Sequence, residues 1–359
     1  MKRKRWRVAG INFDHFHMGD LLRFAREHPQ AEIVGISDEQ PARMEEAIRK
    51  LGIPRDRTFS DYRSCLAKTK PEIVLLCPAA AWHGEWVRKV APFEVHLMVE
   101  KPFASSLKEA DAMIRAMVPG KTLMINWPTQ WDAGHQKAHE LIEAGRIGEV
   151  LNVWYFGGNR GPLLHGADKA LKTAEMVAME KAHSWFYKKT AGGGSLLDYL
   201  GYGTTLGTWY QGGQRPIEVT AMVDEPSGLE VDEHSIVVAR YRQGLSKFET
   251  RWETFTDPWT IQPQPKCGFI IAGTEGTLAS YGHEQYVTLQ TRKKPKPHLI
   301  VARRTKAPLQ NPIQYLLHCL DRGQPLEGPV SLSISRIGQE IVDAAVRSAR
   351  LKRIVKLLS

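Results

Sequence analysis

Apolar and polar positions alternate in two different ways along this chain, and the change falls near residue 126. In the first third, short and nearly continuous apolar runs recur at residues 6–11, 32–37, 71–77, 96–100 and 122–126. A run of this length bounded by turn residues reads as a strand buried on both faces. Segments with helical spacing lie between them, at residues 18–26, from Pro41 onward, and at 107–117. Strands alternating with helices predict a doubly wound parallel sheet over residues 1–126.

Past Asn126-Trp-Pro128 the rhythm changes. A helical stretch at 133–144 leads to a strand at 149–156 and a polar, glycine-rich segment at 157–166. Longer β-rich runs follow at 216–223, 235–241, 246–255, 268–272 and 285–291, and amphipathic helices close the chain at 313–320 and 334–351. The expected class is therefore α/β: an N-terminal Rossmann sheet, then an α/β domain over residues 127–359 built on a predominantly antiparallel open sheet. The closing helices are long enough to pack back on the first domain. Apolar residues on both alternating sets, as in Ile236-Val-Val-Ala239, need cover on two faces, which predicts a homodimer or homotetramer.

Composition narrows the class without changing it. Hydrophobic residues make up 42% and charged residues 25% of the 359, the balance of an ordinary globular protein. No run approaches the roughly 18 apolar residues of a membrane span. Met1-Lys-Arg-Lys-Arg5 resembles the start of a signal peptide, but Trp6-Arg7 supplies no apolar core behind it, so a cytoplasmic protein is expected. Cys65, Cys77, Cys267 and Cys319 are scattered, which suits reduced thiols and argues against a structural zinc; no metal is expected. The net charge of +10 comes from short, separate clusters, at residues 2–5, 292–296 and 303–306 and near Arg350-Leu-Lys-Arg353. Without interleaved aromatics they suit solubility or anionic small molecules better than specific nucleic acid.

The candidate chemistry gathers where the first-domain strands end. Gly10 closes the first strand, and Asn12-Phe-Asp-His-Phe-His17 opens the helix after it. Strand, tight turn and helix in that order suit a dinucleotide pyrophosphate. Asn12 and His15 stand where the second and third glycines of G-x-G-x-x-G belong; asparagine tolerates a left-handed backbone, whereas His15 is bulky for a close helix–strand approach. Asp38 ends the second strand, where an acid holds a ribose 2′-hydroxyl and repels a 2′-phosphate, so NAD is expected over NADP. Its other reading is a cap for the helix at Pro41, and Arg43 keeps NADP open. Pro78-Ala-Ala-Ala-Trp-His83 follows the next buried strand, with small residues and His83 on the cofactor side. His96-Leu-Met-Val-Glu-Lys-Pro102 then ends an apolar run abruptly in a carboxylate, an amine and a proline. Expected cofactor contacts are thus Gly10, Asn12, Phe13, His15, Asp38, Pro78, His83, Glu100 and Lys101.

In the second half, three glycines precede Ser195-Leu-Leu-Asp-Tyr-Leu-Gly-Tyr202, whose spacing puts Asp198 and Tyr202 on one helical face. Aromatics able to stack on a sugar ring cluster at Trp127, Trp131, Trp185 and Tyr187. Arg160, His165 and His183 add polar reach. Trp127, Arg160, His165, His183 and Trp185 are the expected substrate contacts.

Together these pieces resemble the Gfo/Idh/MocA family of oxidoreductases. The resemblance rests on Val99-Glu-Lys-Pro102, Asp38, Ile142-Glu-Ala-Gly-Arg-Ile-Gly-Glu-Val150, Gly192-Gly-Gly-Ser-Leu-Leu-Asp198, Gly273-Thr-Glu-Gly-Thr-Leu278 and the final helices, in order. It implies NAD, or less favourably NADP, and hydride transfer at a secondary hydroxyl of a sugar, cyclitol or glycoside. It also implies an acid/base role for Lys101, with Asp198 orienting substrate. The family helix reads Asp-x-Gly-x-His; here Leu200 replaces the glycine and Tyr202 the histidine. Tyr202 serves either as a base whose pKa a nearby Lys101 lowers, or as a sugar contact only. Redox-neutral, NAD-dependent glycoside cleavage and a non-catalytic NAD-binding sugar sensor are the alternatives.

Overall fold

The computed structural model describes residues 4–357, which divide into two compact units. The first comprises the chain up to Asn126 together with Leu163–Lys181 and Ala307–Leu332; the second comprises Trp127–Pro162, Ala182–Lys306 and the chain from Ser333 on.

The first unit alternates strand and helix: β1 (Trp6–Ile11), α1 (His17–Glu27), β2 (Ala31–Ser37), α2 (Glu45–Leu51), β3 (Thr58–Phe59), α3 (Tyr62–Thr69), β4 (Ile73–Leu76), α4 (His83–Val90), β5 (His96–Glu100), α5 (Leu107–Ala116) and β6 (Leu123–Asn126). All six strands are parallel, in the order β3-β2-β1-β4-β5-β6. Val8, Ile11, Val74, Leu75, Leu97 and Val99 are wholly buried, because helices cover both faces. The strand order reverses between β1 and β4, the switch point at which such sheets bind ligands.

The second unit carries α6 (Ala133–Glu143) and β7 (Val150–Gly158). The 163–181 excursion, with α7 (Ala174–Lys181), belongs to the first unit. Then come α8 (Ser195–Tyr210), β8 (Glu218–Asp224), β9 (His234–Arg240), β10 (Leu245–Arg251), β11 (Gly268–Gly273), β12 (Gly276–Tyr281), β13 (Tyr286–Thr291), β14 (Lys294–Val301), α9 (Pro312–Arg322, in the first unit), α10 (Leu332–Leu351) and β15 (Val355–Lys356). Nine strands form one sheet in the order β14-β13-β12-β11-β7-β10-β9-β8-β15, antiparallel throughout except for the β7–β10 pair.

Helix α8 lies on the inner face of this sheet because its glycines leave room. A Cβ on Gly203 would come within 2.3 Å of the Tyr155 ring, and one on Gly207 within 2.8 Å of Phe248. The outer face leaves Trp154, Met222, Ile236, Leu299 and Val301 exposed. Four strands were not foreseen from the pattern, β3, β12, β14 and β15, and the expected strand at 246–255 stops at Arg251. Strand β14 contains two prolines and two lysines. It is tolerated as an edge strand, where missing donors cost nothing and charge discourages further pairing. All four cysteines are buried and free, and among the described residues no helix is long and apolar enough to cross a membrane.

Candidate active site

The dinucleotide loop of the first unit fits a cofactor despite its missing glycines. Asn12 holds φ at +66°, the left-handed conformation that the second glycine normally supplies, and its Oδ1 accepts from the Asp14 amide at 2.9 Å. A Cβ on Gly10 would meet Met18 Sδ at 3.0 Å and Leu22 at 3.2 Å, so α1 packs tightly on β1 there. His15 does not block that approach. Its ring is 1% exposed, its amide donates to the Cys77 carbonyl at 2.9 Å, and its Nδ1 accepts from the His17 amide at 3.1 Å. Burial first, then the charges of His17, Lys101, His83 and His165, hold its pKa well below the usual imidazole value, so it is neutral.

Asp38 is 4% exposed at the end of β2, and two backbone amides engage its carboxylate. Oδ2 accepts from the Phe13 amide at 2.6 Å and Oδ1 from the Gln40 amide at 2.7 Å. The carboxylate therefore pins the loop to the turn that leads to Pro41. Arg43 lies 3.9 Å from Asp38 and is paired with Asp14. Desolvation raises the Asp38 pKa against these hydrogen bonds and Arg43. We predict that Asp38→Ala narrows the preference for NAD over NADP about tenfold. Affinity for NAD itself should also fall, because Phe13 loses its anchor. Titration of both cofactors checks this, and an unchanged ratio removes Asp38 from the discrimination.

At the neighbouring strand ends, Glu100 and Lys101 are 0% and 3% exposed. Glu100 Oε2 accepts from Asn126 Nδ2 at 2.8 Å, across the β5–β6 register, and Oε1 lies 2.8 Å from His17 Nδ1. Although desolvation pushes its pKa up, His17, Lys101 and Asn126 outweigh that, and the pKa is lowered: Glu100 is a buried carboxylate. His83, expected at the cofactor, is wholly buried. Its nitrogens lie 3.2 Å from the Phe103 carbonyl and 3.1 Å from that of Pro78, so it ties the end of β4 to the loop after Lys101. Burial lowers its pKa, and the neutral ring donates to one of the two carbonyls. His165 belongs to this unit as well. The 163–181 segment docks on α1 through Asp168, whose amide donates to Asp20 Oδ1 at 2.7 Å and whose carboxylate takes Arg23 Nε at 2.7 Å. That sets the His165 ring 5.0 Å from Phe16.

In the second unit, Asp198 is 3% exposed on the first turn of α8, and Trp252 Nε1 donates to it at 3.3 Å. Tyr202, one turn on and 7% exposed, meets the rings of Trp127 at 5.8 Å and Tyr199 at 5.6 Å. The start of α8 is held by Asp232, which sequence reading missed because it lies far along the chain. Its Oδ2 accepts from Ser195 Oγ and the Leu196 amide, both at 2.8 Å. Of the expected substrate contacts, Trp127 is 1% exposed and committed to packing, with Nε1 donating to Ser335 Oγ at 2.8 Å. Arg160 Nε is paired with the buried Asp257 at 2.8 Å. Trp185 is half-buried and stacked on Phe186 at 3.9 Å, and His183 is exposed. Trp131 is half-buried and Tyr187 buried.

Burial, ahead of its hydrogen bonds, pushes the Asp232 carboxyl up to about 6 from an ordinary 3.8. A carboxyl raised in the folded state binds its proton more tightly there than in the unfolded chain. Its contribution to stability is therefore full below about pH 4 and is lost as pH rises through about 6. We predict that wild type loses roughly 2–3 kcal/mol relative to Asp232→Asn between pH 4 and pH 7. Urea unfolding of both proteins at the two pH values measures it, and parallel profiles would contradict it.

An open parallel sheet with a tight turn at Asn12 after its first strand, an acid at the end of β2 and an amine at the end of β5 defines a dinucleotide-binding Rossmann unit. The chain belongs to the Gfo/Idh/MocA family. Residues 4–126 match the family's oxidoreductase domain with NAD-binding Rossmann fold, and residues 135–279 match the GFO/IDH/MocA C-terminal domain. NAD is accordingly the cofactor of the first unit.

Among curated relatives, the chain is 27% identical over 158 residues to scyllo-inositol 2-dehydrogenase (NAD(+)) of Bacillus subtilis, 44% of each chain. It is 25% identical over 232 residues to D-xylose 1-dehydrogenase (NADP(+)) 2 of Haloferax volcanii, 64% of each. The match spans 35%, 44% and 34% of the lengths of three such relatives. Among solved structures, the aldose–aldose oxidoreductase of Caulobacter crescentus, complexed with glycerol, has a TM-score of 0.77 at 19% identity, covering 99% of this chain and 100% of that one. An oxidoreductase of Agrobacterium radiobacter in complex with NAD+, L-tartaric acid and magnesium has the same score at 18%, covering 98% of each. At such identities they establish the fold alone.

Proposed function

We propose that the protein is an NAD-dependent dehydrogenase that oxidises a secondary hydroxyl of a sugar, cyclitol or glycoside. The observation that carries this reading is Lys101: a buried amine directly after a buried carboxylate, at the strand ends that flank the dinucleotide loop. The curated relatives act, by their names, on inositol and xylose, which supports a polyhydroxylated substrate. NAD, when bound, supplies the carbon that accepts hydride. Lys101 contacts the reacting hydroxyl and stabilises the oxygen as its proton leaves. Asp198, which accepts from Trp252, fixes a neighbouring hydroxyl of the substrate. Tyr202, at the position of the family histidine, either takes part in proton transfer or holds the sugar, and Arg160, His165, His183 and Trp185 contribute substrate contacts.

A screen of sugars, cyclitols and glycosides with NAD, followed at the NADH absorbance, tests the reading. Net NADH supports it. Glycoside cleavage without net NADH would replace it by a redox-neutral reaction, and neither signal with any compound would make the protein a sensor. We also propose that the exposed apolar outer face of the nine-stranded sheet is covered by a second copy. A monomer by light scattering at micromolar concentration would remove that proposal.

A further inference from the structure

The imidazole that the family places on α8 is missing at Tyr202, yet the first unit presents another with the fittings of a proton carrier. Glu100 cannot turn freely: it is wholly buried, and Asn126 at the end of β6 donates to one oxygen at 2.8 Å. Its other oxygen faces His17 Nδ1 at 2.8 Å, and because Glu100 is ionised, that nitrogen carries the hydrogen. The basic lone pair of neutral His17 is then on Nε2. The His17 side chain is 18% exposed, so unlike His15 it can be reached. A base whose tautomer is fixed by a buried carboxylate, itself fixed by a third group, is the arrangement that nucleophilic and general-base sites share.

His15 completes the mounting. It accepts from the His17 amide at 3.1 Å, with the two rings 4.4 Å apart, and it stays neutral. The charged and titratable groups around His17 are His15 on the loop, Asp20 one turn along α1 with Asp168 beyond it, and Glu100 and Lys101 at the end of β5. His165 lies against the ring of Phe16, and its charge acts on His15. Lys101 is the residue after Glu100, and its charge acts on both Glu100 and His15.

We infer that His17, oriented by Glu100 and Asn126, is the terminal acceptor of the substrate hydroxyl proton, relayed by way of Lys101. The inference rests on the dehydrogenase reading above. In the step, the carbinol C–H bond breaks with its electron pair passing as hydride to the nicotinamide. The O–H bond breaks, the C=O bond forms, and the proton ends on His17 Nε2. Substrate is oxidised by two electrons, NAD is reduced by the same two, and the imidazolium later returns its proton to solvent. His17 acts through Lys101 and is therefore a positioning and relay residue. Its imidazole serves the reaction from the Rossmann side.

The test uses the full-length protein with NAD and a substrate found in the screen. His17→Ala should lower kcat about 10²-fold at pH 7, the usual contribution of a positioned acid/base group, with the dissociation constant for NAD within about threefold of wild type. Wild-type kcat/KM should reach a plateau with pH, whereas the variant's should climb through pH 9 and be partly restored by added imidazole. Glu100→Gln, which takes from Nδ1 the carboxylate that fixes the ring, should lower kcat about tenfold with NAD affinity within about threefold of wild type. Unimpaired NADH production by His17→Ala overturns the relay alone, as does a loss of NAD affinity in step with kcat without imidazole rescue. Stoichiometric metal in the purified protein, with activity lost on chelation, also overturns it, since the donor atoms of His15, His17 and Glu100 lie within 4.8 Å of one another. No NADH from wild type with any substrate overturns the dehydrogenase reading and the relay with it.

Discussion

Lys101→Met lowers turnover by about 10²-fold or more, while NAD still binds with nearly wild-type affinity. Methionine keeps much of the length and packing of the side chain, so the buried site does not collapse. What it removes is a charge, 3% exposed, beside a carboxylate that is wholly buried. Two losses follow. The reacting hydroxyl has no cation to stabilise the developing oxyanion. Glu100 also loses one of the neighbours that hold its pKa down against desolvation, so its grip on His17 weakens at neutral pH. Steady-state kinetics with NAD varied separately from substrate measures both effects. Tyr202→Phe is the companion variant: a change confined to KM assigns Tyr202 to substrate binding, and a fall in kcat with a displaced pH profile assigns it to proton transfer. Full activity in Lys101→Met would remove the mechanism.

What could be read from the chain follows the physics of each region. The parallel strands are buried on two faces, so they stand out as continuous apolar runs, and the chemistry at their ends is marked where each run stops. The strand-end positions of Asp38, Glu100 and Lys101 were legible for that reason, and the left-handed turn at Asn12 was legible because few residues accept that backbone conformation. The antiparallel sheet is harder to read. Strand β14, with its prolines and lysines, resembles a charged loop until its place at the edge is known. Residues joined only by tertiary contact were out of reach: Asp232 caps α8 from 37 positions away, and His17 meets Glu100 across 83. The 163–181 segment reads as part of the second domain because it lies between two of its strands. Tertiary contacts, among them those of Asp168 with Asp20 and Arg23, return it, and His165 with it, to the dinucleotide loop. The aromatic residues are ambiguous in the sequence, since a tryptophan suited to stacking on a sugar is equally suited to a core.

Trp127→Ala settles that ambiguity at the position where it matters most, and it is expected to destabilise the second unit by about 3–5 kcal/mol. The indole is 1% exposed and lies against Gly201, where an added Cβ would come within 2.6 Å of the ring. Gly201 has no side chain to move into the space. The indole N–H also donates to Ser335 Oγ at 2.8 Å, a hydroxyl that is wholly buried and loses its donor in the variant. Trp127→Phe separates the two contributions, since it keeps most of the ring volume and removes only the hydrogen bond, for about 1 kcal/mol. Thermal unfolding should show roughly a 10 °C fall for the alanine variant in a unit of this size. The Tyr202 ring packs edge-on against Trp127 at 5.8 Å, so its support on α8 loosens at the same time. At a temperature where the variant is still folded, KM should therefore rise. A sugar-stacking Trp127 predicts a different pair of results, a raised KM with an unchanged unfolding temperature.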